Sequence, residues 1–240
     1  GSNYSIKNRT MDQILTILTS TILLLFANLP RLIAELKNPD PARFNQPFKE
    51  FSKQDQVKEP NQDQLILFTG SSSIRFWGIE KSFPQKNLLN RGFGGAHISD
   101  VLYFYDQLFP KYRPVRIIFY CGENDLWSGK PVDQVKGNFS ALWLKIKEDL
   151  PKSDLVYLSC KPSPKRISKW NLYQSLNLKI KKLSRSEERL HFVDISKTLL
   201  KPDMTFHKGL WRPDNLHLNA AGYTKWSRVV HPWLNLGNKL

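Results

Sequence analysis

The sequence predicts an α/β protein built on a doubly wound parallel sheet. Three observations lead there. Short apolar runs recur along the chain, amphipathic stretches at helical spacing separate them, and several of the runs stop at glycine or serine turns. Strand, helix, strand, helix is the order that a parallel sheet with crossover helices requires.

The first strand is Leu65–Phe68, four apolar residues running into Thr69-Gly70-Ser71-Ser72-Ser73. A continuous apolar run bounded by glycine suits a strand buried on both faces. The remaining strands are Leu88–Asn90, Arg116–Cys121, Asp154–Ser159 and His191–Val193. Between them, Asp100–Leu108 sets Val101, Tyr105 and Leu108 on one helical face. Asp133–Leu150 does so with Val135, Phe139, Leu142, Ile146 and Leu150, and Trp170–Leu183 with Leu172, Leu176, Ile180 and Leu183. A last helix starts at Asn219 and carries Tyr223, Trp226, Val230 and Trp233.

Ahead of this domain (65–240) lie two other segments. Gly1-Ser2 has the look of an expression scar. Within 1–37, Ile14–Leu29 is apolar apart from Thr16, Thr19, Ser20, Thr21 and Asn28, with Lys7 and Arg9 before it and Pro30-Arg31 after it. Its sixteen residues fall short of the roughly 20 of a typical membrane span, and Phe26-Ala27-Asn28 makes a poor cleavage site. The expectation is an uncleaved membrane anchor or signal-like helix, with an apolar helix packed on the domain or a partner as the alternative. Residues 38–64, rich in Pro, Gln, Asn and charge, read as a linker with a short helix, its apolar points being Phe44, Phe48 and Phe51.

Composition narrows the function classes. With 40% hydrophobic residues, seven Trp and fourteen Phe, disorder is excluded. A net charge of +15 favours an anionic partner such as a membrane surface, nucleic acid or acidic glycan. The charge is densest from Lys161 to Arg189, including Lys165, Arg166, Lys169, Lys179, Lys181, Lys182 and Arg185. No zinc-finger spacing or RNP-like strand accompanies it, so nucleic acid is set aside and a solvated basic face is expected. Cys121 ends one strand and Cys160 directly follows another, and both are expected to be buried free thiols. His97, His191, His207, His217 and His231 form no ligand motif, and neither metal nor cofactor is expected.

Open α/β sheets bind ligands beyond the carboxyl ends of their strands. Read in order, those ends supply Gly70-Ser71-Ser72-Ser73, then Asn90-Arg91-Gly92-Phe93-Gly94-Gly95-Ala96-His97, then Cys121-Gly122-Glu123-Asn124-Asp125, with Asp214-Asn215-Leu216-His217 ahead of the last helix. Acyl transfer needs these types. A serine hydroxyl becomes nucleophilic when a base stands within hydrogen-bond reach. A histidine serves once its other nitrogen is held in one tautomer, and Asp214, three residues before His217, can hold it. Backbone amides in a glycine turn and an asparagine side chain can receive the oxyanion.

Together these blocks resemble those of the SGNH hydrolases, the GDSL esterase/lipase family, from about Phe48 to the C-terminus. The resemblance implies a three-layer, flavodoxin-like fold with five parallel strands. It implies Ser72 as nucleophile, Asp214 and His217 as the rest of the triad, and an oxyanion hole from the Ser72 and Gly95 amides and the Asn124 side chain. Phe68-Thr69-Gly70-Ser71-Ser72-Ser73-Ile74-Arg75, with Lys161-Pro162-Ser163-Pro164 and the Asp214 block, is similar to a bacterial subgroup whose members often carry an export or anchor segment. Ser71 stands where the family name has Asp, and the spacing from Gly70 to Trp77 favours Ser72 among the three serines.

The implied activity is hydrolysis of carboxylic esters, short acyl groups such as acetyl on a glycan or a small lipid. Acyl transfer at the same site, or a silent protein binding an anionic surface, are the rival readings. The aromatics Phe76, Trp77, Phe93 and Trp127 fall near the site, as acyl-binding surface or as core. A membrane or cell-envelope location is expected, and the oligomeric state is left open.

Overall fold

A computed structural model describes residues 16–23 and 38–236. The chain divides into two compact units, Gly1–Asp40 and Pro41–Leu240. In the first, residues 16–23 are helical, and the hydroxyls of Thr19, Ser20 and Thr21 return to carbonyls one turn back, which lets polar residues sit in an apolar helix. The rest of 1–37 lies outside the described residues, and with it most of Ile14–Leu29. Among the described residues, no helix is long and apolar enough to cross a membrane.

The second unit holds five strands: β1 (Ile66–Gly70), β2 (Leu88–Gly92), β3 (Arg116–Tyr120), β4 (Asp154–Leu158) and β5 (Leu190–Val193). All pair in parallel, in the order β2-β1-β3-β4-β5. The alternation of strand side chains splits the core into two layers. Leu67, Ile117, Phe119, Leu155 and Tyr157 face one way, and Ile66, Phe68, Ile118, Tyr120, Val156 and Leu158 the other. Helices cover both faces, as a sheet apolar on both sides demands.

One face is covered by α1 (Asn45–Val57), α4 (Ile98–Tyr103), α5 (Tyr105–Tyr112), α7 (Val132–Asp149) and α8 (Trp170–Ser184). The other is covered by α2 (Ser72–Arg75), α3 (Ile79–Ser82) and α9 (Ala220–Val230). A short helix, α6 (Glu123–Trp127), follows β3. Phe44 and Phe48 are buried, and Phe48 stacks on Phe104 with ring centroids 3.9 Å apart.

Two details differ from the sequence reading. The helix expected over 100–108 is two helices, because Phe104 leaves helical values at ψ +18° and α5 restarts beyond it. The basic stretch 161–189 is not uniformly solvated. Lys161 is buried and Arg166 nearly so, each against Glu123, because a desolvated carboxylate needs cationic partners.

The strand order places a switch point at β1. The crossover from β1 leads to β2 on one side and the crossover from β3 leads to β4 on the other, so the loops after β1 and β3 diverge and open a crevice. Three of the four singled-out sequence blocks follow β1, β2 and β3.

Candidate active site

At the end of β1 the backbone turns at Gly70, with φ +123°. A Cβ there would meet the Tyr120 carbonyl oxygen at 2.0 Å, so only glycine lets β1 run so close to β3 before turning. The Ser71 amide donates to that same carbonyl (2.9 Å), and α2 begins at Ser72. Ser71 and Ser73 are buried, while Ser72 between them is partly open. Of the three, it is Ser72 whose Oγ lies 2.9 Å from His217 Nε2.

His217 comes from an irregular loop between β5 and α9. Its Nδ1 is 2.6 Å from Asp214 Oδ2, so a proton on Nδ1 donates to the carboxylate and Nε2 is left to accept from the serine hydroxyl. Asp214 Oδ1 accepts the Leu216 and His217 amides at 2.9 and 3.0 Å. Burial opposes ionisation, but these amides and the imidazole outweigh it and hold the Asp214 carboxyl well below the usual carboxylate range. The loop is pinned by Asn219, which caps α9 through Gly222 and donates to the carbonyls of Gly209 and Trp211.

Across the crevice, Gly95 adopts φ +83° in the loop after β2. Among the described residues, no backbone hydrogen bond uses the Gly95 or Ser72 amide. Carboxylates hold this loop from behind. The His97 amide donates to Asp100 (2.8 Å) and the Ile98 amide to Asp125 (3.2 Å). Buried Lys130 pairs with Asp125 at 3.1 Å and reaches Ser99. Complete burial nevertheless pushes the Asp125 carboxyl up to about 6, against the pull of the Lys130 ammonium. His97 is held neutral: burial, then the charges of Lys130, Arg43 and Arg166, push it down to about 3.

Asn124 sits in α6 and bridges the two sides. Its Nδ2 donates to the Ala96 carbonyl (3.1 Å), which leaves its second N–H for a ligand. Its Oδ1 accepts from Arg166 Nη1 at 2.9 Å. The guanidinium thereby selects which end of the amide turns toward the crevice. Arg166 is in turn held by Glu123 (3.2 Å), which also pairs with Lys161 (2.8 Å) and accepts from Tyr120. Burial works against the Glu123 charge, and Lys161 and Arg166 overcome it, lowering the carboxyl.

The structure thus brings Ser72, His217 and Asp214 into one hydrogen-bonded row, with Gly95 and Asn124 joined through the Ala96 segment. Reasoning from sequence missed Arg166, Glu123 and Lys161 as a group. The adjacency of Glu123 to Asn124 was visible, but its cations lie 38 and 43 residues further on. Of the aromatics, Trp77 and Phe93 are core, Phe76 packs against His217 in a T-shaped contact, and Trp127 lies at the surface under Arg166. Cys121 and Cys160 are free and buried.

Comparison with known proteins agrees with this architecture. The GDSL-like lipase/acylhydrolase family matches over residues 77–225, which takes in Gly95, Asn124, Asp214 and His217 and begins five residues past Ser72. No curated protein matches the chain. Among solved structures, a Streptococcus pneumonia protein provisionally described as a platelet activating factor is 22% identical, with TM-score 0.69 over 90% of this chain and 99% of that one. A GDSL-like lipase from Bacteroides thetaiotaomicron is 16% identical, with TM-score 0.67 over 78% of this chain and 96% of its own. An acetylxylan esterase from Geobacillus stearothermophilus is 14% identical, with TM-score 0.59 over 72% and 94%. At these identities the likeness is one of fold.

Proposed function

Since the chain belongs to the GDSL-like lipase/acylhydrolase family and is on that ground a carboxylic-ester hydrolase, we propose that it works through an acyl-enzyme formed on Ser72. The single observation that carries this reading is the row Ser72 Oγ–His217 Nε2–His217 Nδ1–Asp214, at 2.9 and 2.6 Å.

His217 Nε2 takes the serine proton as Oγ attacks the ester carbonyl. Asp214 holds the tautomer and stabilises the imidazolium that forms. The carbonyl oxygen becomes an oxyanion received by the Ser72 and Gly95 amides and Asn124 Nδ2. Imidazolium then returns the proton to the leaving alcohol. Water, activated by the same histidine, attacks the acyl-enzyme and frees the acid and Ser72.

The substrate is a small ester, of short acyl chain, on a glycan or lipid alcohol. The open crevice supports that choice, and the acetylxylan esterase with the same fold accords with it. The apolar Ile14–Leu29 segment and the net charge of +15 support a location at an anionic membrane or in the cell envelope. The test of the chemistry is turnover of p-nitrophenyl acetate. The wild-type chain hydrolyses it, and Ser72→Ala lowers kcat by a factor on the order of 10⁶. A variant that kept most of its activity would overturn the reading.

A further inference from the structure

Phe76 is the ring around which the positive charge near the site gathers. It meets His217 in a T-shaped contact, with centroids 5.0 Å apart and planes at 83°. The Arg212 guanidinium lies 4.3 Å from its centroid and that of Arg75 lies 5.5 Å away. Arg75 also borders the nucleophile across Gly94. A methyl group on Gly94 would stand 3.1 Å from Arg75 Nη1 and 3.8 Å from Ser72 Cβ. Arg43, Arg91, Arg116 and Arg166 each pair with a carboxylate. Among the described residues, Arg75 and Arg212 have no such partner within 4.0 Å.

Beside Phe76 a cavity of about 520 Å³ opens between the α3 turn and the start of α9. Lys81 and Arg212 stand in its wall with the residues Ser82, Thr224 and Ser227, and none of the lining residues is an Asp or Glu. The groove along α1 is different: Glu50 and Glu80 line it together with Arg43 and Arg75. Unpaired like charges held near one another repel, and a bound oxyanion relieves the repulsion while gaining charge-assisted hydrogen bonds.

We propose that the Lys81–Arg212 cavity is an anion-binding subsite. The preferred substrates are then esters that carry a phosphate or carboxylate group about one aromatic ring away from the scissile carbonyl. The proposal rests on the Ser72–His217 reading for where that carbonyl sits. Arg212 supplies a forked donor, Lys81 a second charge, and Phe76 separates the anion from the imidazole.

The test compares kcat/KM for phenyl acetate and 4-acetoxybenzoate, a neutral and an anionic ester, in the wild-type chain and in Lys81→Gln/Arg212→Gln. The ratio of anionic to neutral ester should fall about tenfold or more in the double variant, through KM, and added salt should lower it in the wild type. Lys81→Gln alone, at an exposed position, should lower it in the same direction should the double variant fail to fold. A ratio unchanged within about twofold overturns the subsite. Inhibition of 4-acetoxybenzoate turnover by glycerol 1-phosphate identifies a soluble phosphorylated ligand. Inhibition by phosphatidylglycerol vesicles alone identifies a lipid headgroup, and inhibition by neither overturns the subsite. A wild-type chain inert on both esters overturns the esterase reading instead. The subsite is then judged by calorimetric binding of inorganic phosphate, expected in the wild-type chain and lost in the double variant, and no binding overturns it.

Discussion

On one side of the Ser72 hydroxyl, Asp214 and His217 sit in an open loop, with side chains 40% and 17% exposed. On the other, Asn124 is backed by Glu123 with Lys161, and the neighbouring loop by Asp125 with Lys130, pairs whose side chains are at most 4% exposed. The open side is a local device. Two amides of its own turn fix the Asp214 carboxylate, and the histidine follows from a spacing of three residues. The buried side is assembled from distant parts of the chain. Ion pairs so deep in the protein are weak evidence for stability, since desolvation offsets their attraction. In the proposed mechanism they hold amide dipoles rigid in a dry setting, where dipoles need no reorganisation as charge develops on the substrate.

If the sides are as different as they look, substitutions should break them differently. Asp214→Asn removes the charge that stabilises imidazolium and permits the wrong tautomer. We expect kcat to fall by about 10⁴ on p-nitrophenyl acetate, with little change in thermal stability because the residue is exposed. A loss under tenfold would mean that Asp214 does not hold the histidine. Asn124→Ala removes one of the proposed oxyanion donors and should cost about 10²–10³ in kcat. The smallest effect sharpens the comparison most. Arg166→Gln frees the Asn124 amide to turn over, and kcat should fall about tenfold with KM little changed. In Asn124→Ala/Arg166→Gln the second change should add almost nothing, because Arg166 acts through Asn124. Additive losses would show that Arg166 serves some other purpose.

The same division governs what could be read before the structure. Five strands, their parallel arrangement and the Asp214–His217 pair rest on local pattern, and all are seen in the folded chain. Glu123 and Arg166 look like ordinary surface charges along the chain, and only the turn from β4 into the 164–169 segment brings Arg166 over α6. A count of cations between 161 and 189 cannot tell a buried lysine from a solvated one. The break at Phe104 was likewise hidden, since Val101, Tyr105 and Leu108 keep helical spacing across it. Among the three serines the spacing from Gly70 to Trp77 favours Ser72, and the fold agrees, burying Ser71 and Ser73 and turning Ser72 to the imidazole.

The central claim is that one serine of Gly70-Ser71-Ser72-Ser73 is activated by His217. Labelling with a fluorophosphonate, followed by mapping of the modified peptide, tests it most directly. The account predicts a single adduct on Ser72, absent from Ser72→Ala and slowed strongly in His217→Ala. An adduct on Ser71 or Ser73, or labelling that persists undiminished in Ser72→Ala, would contradict it.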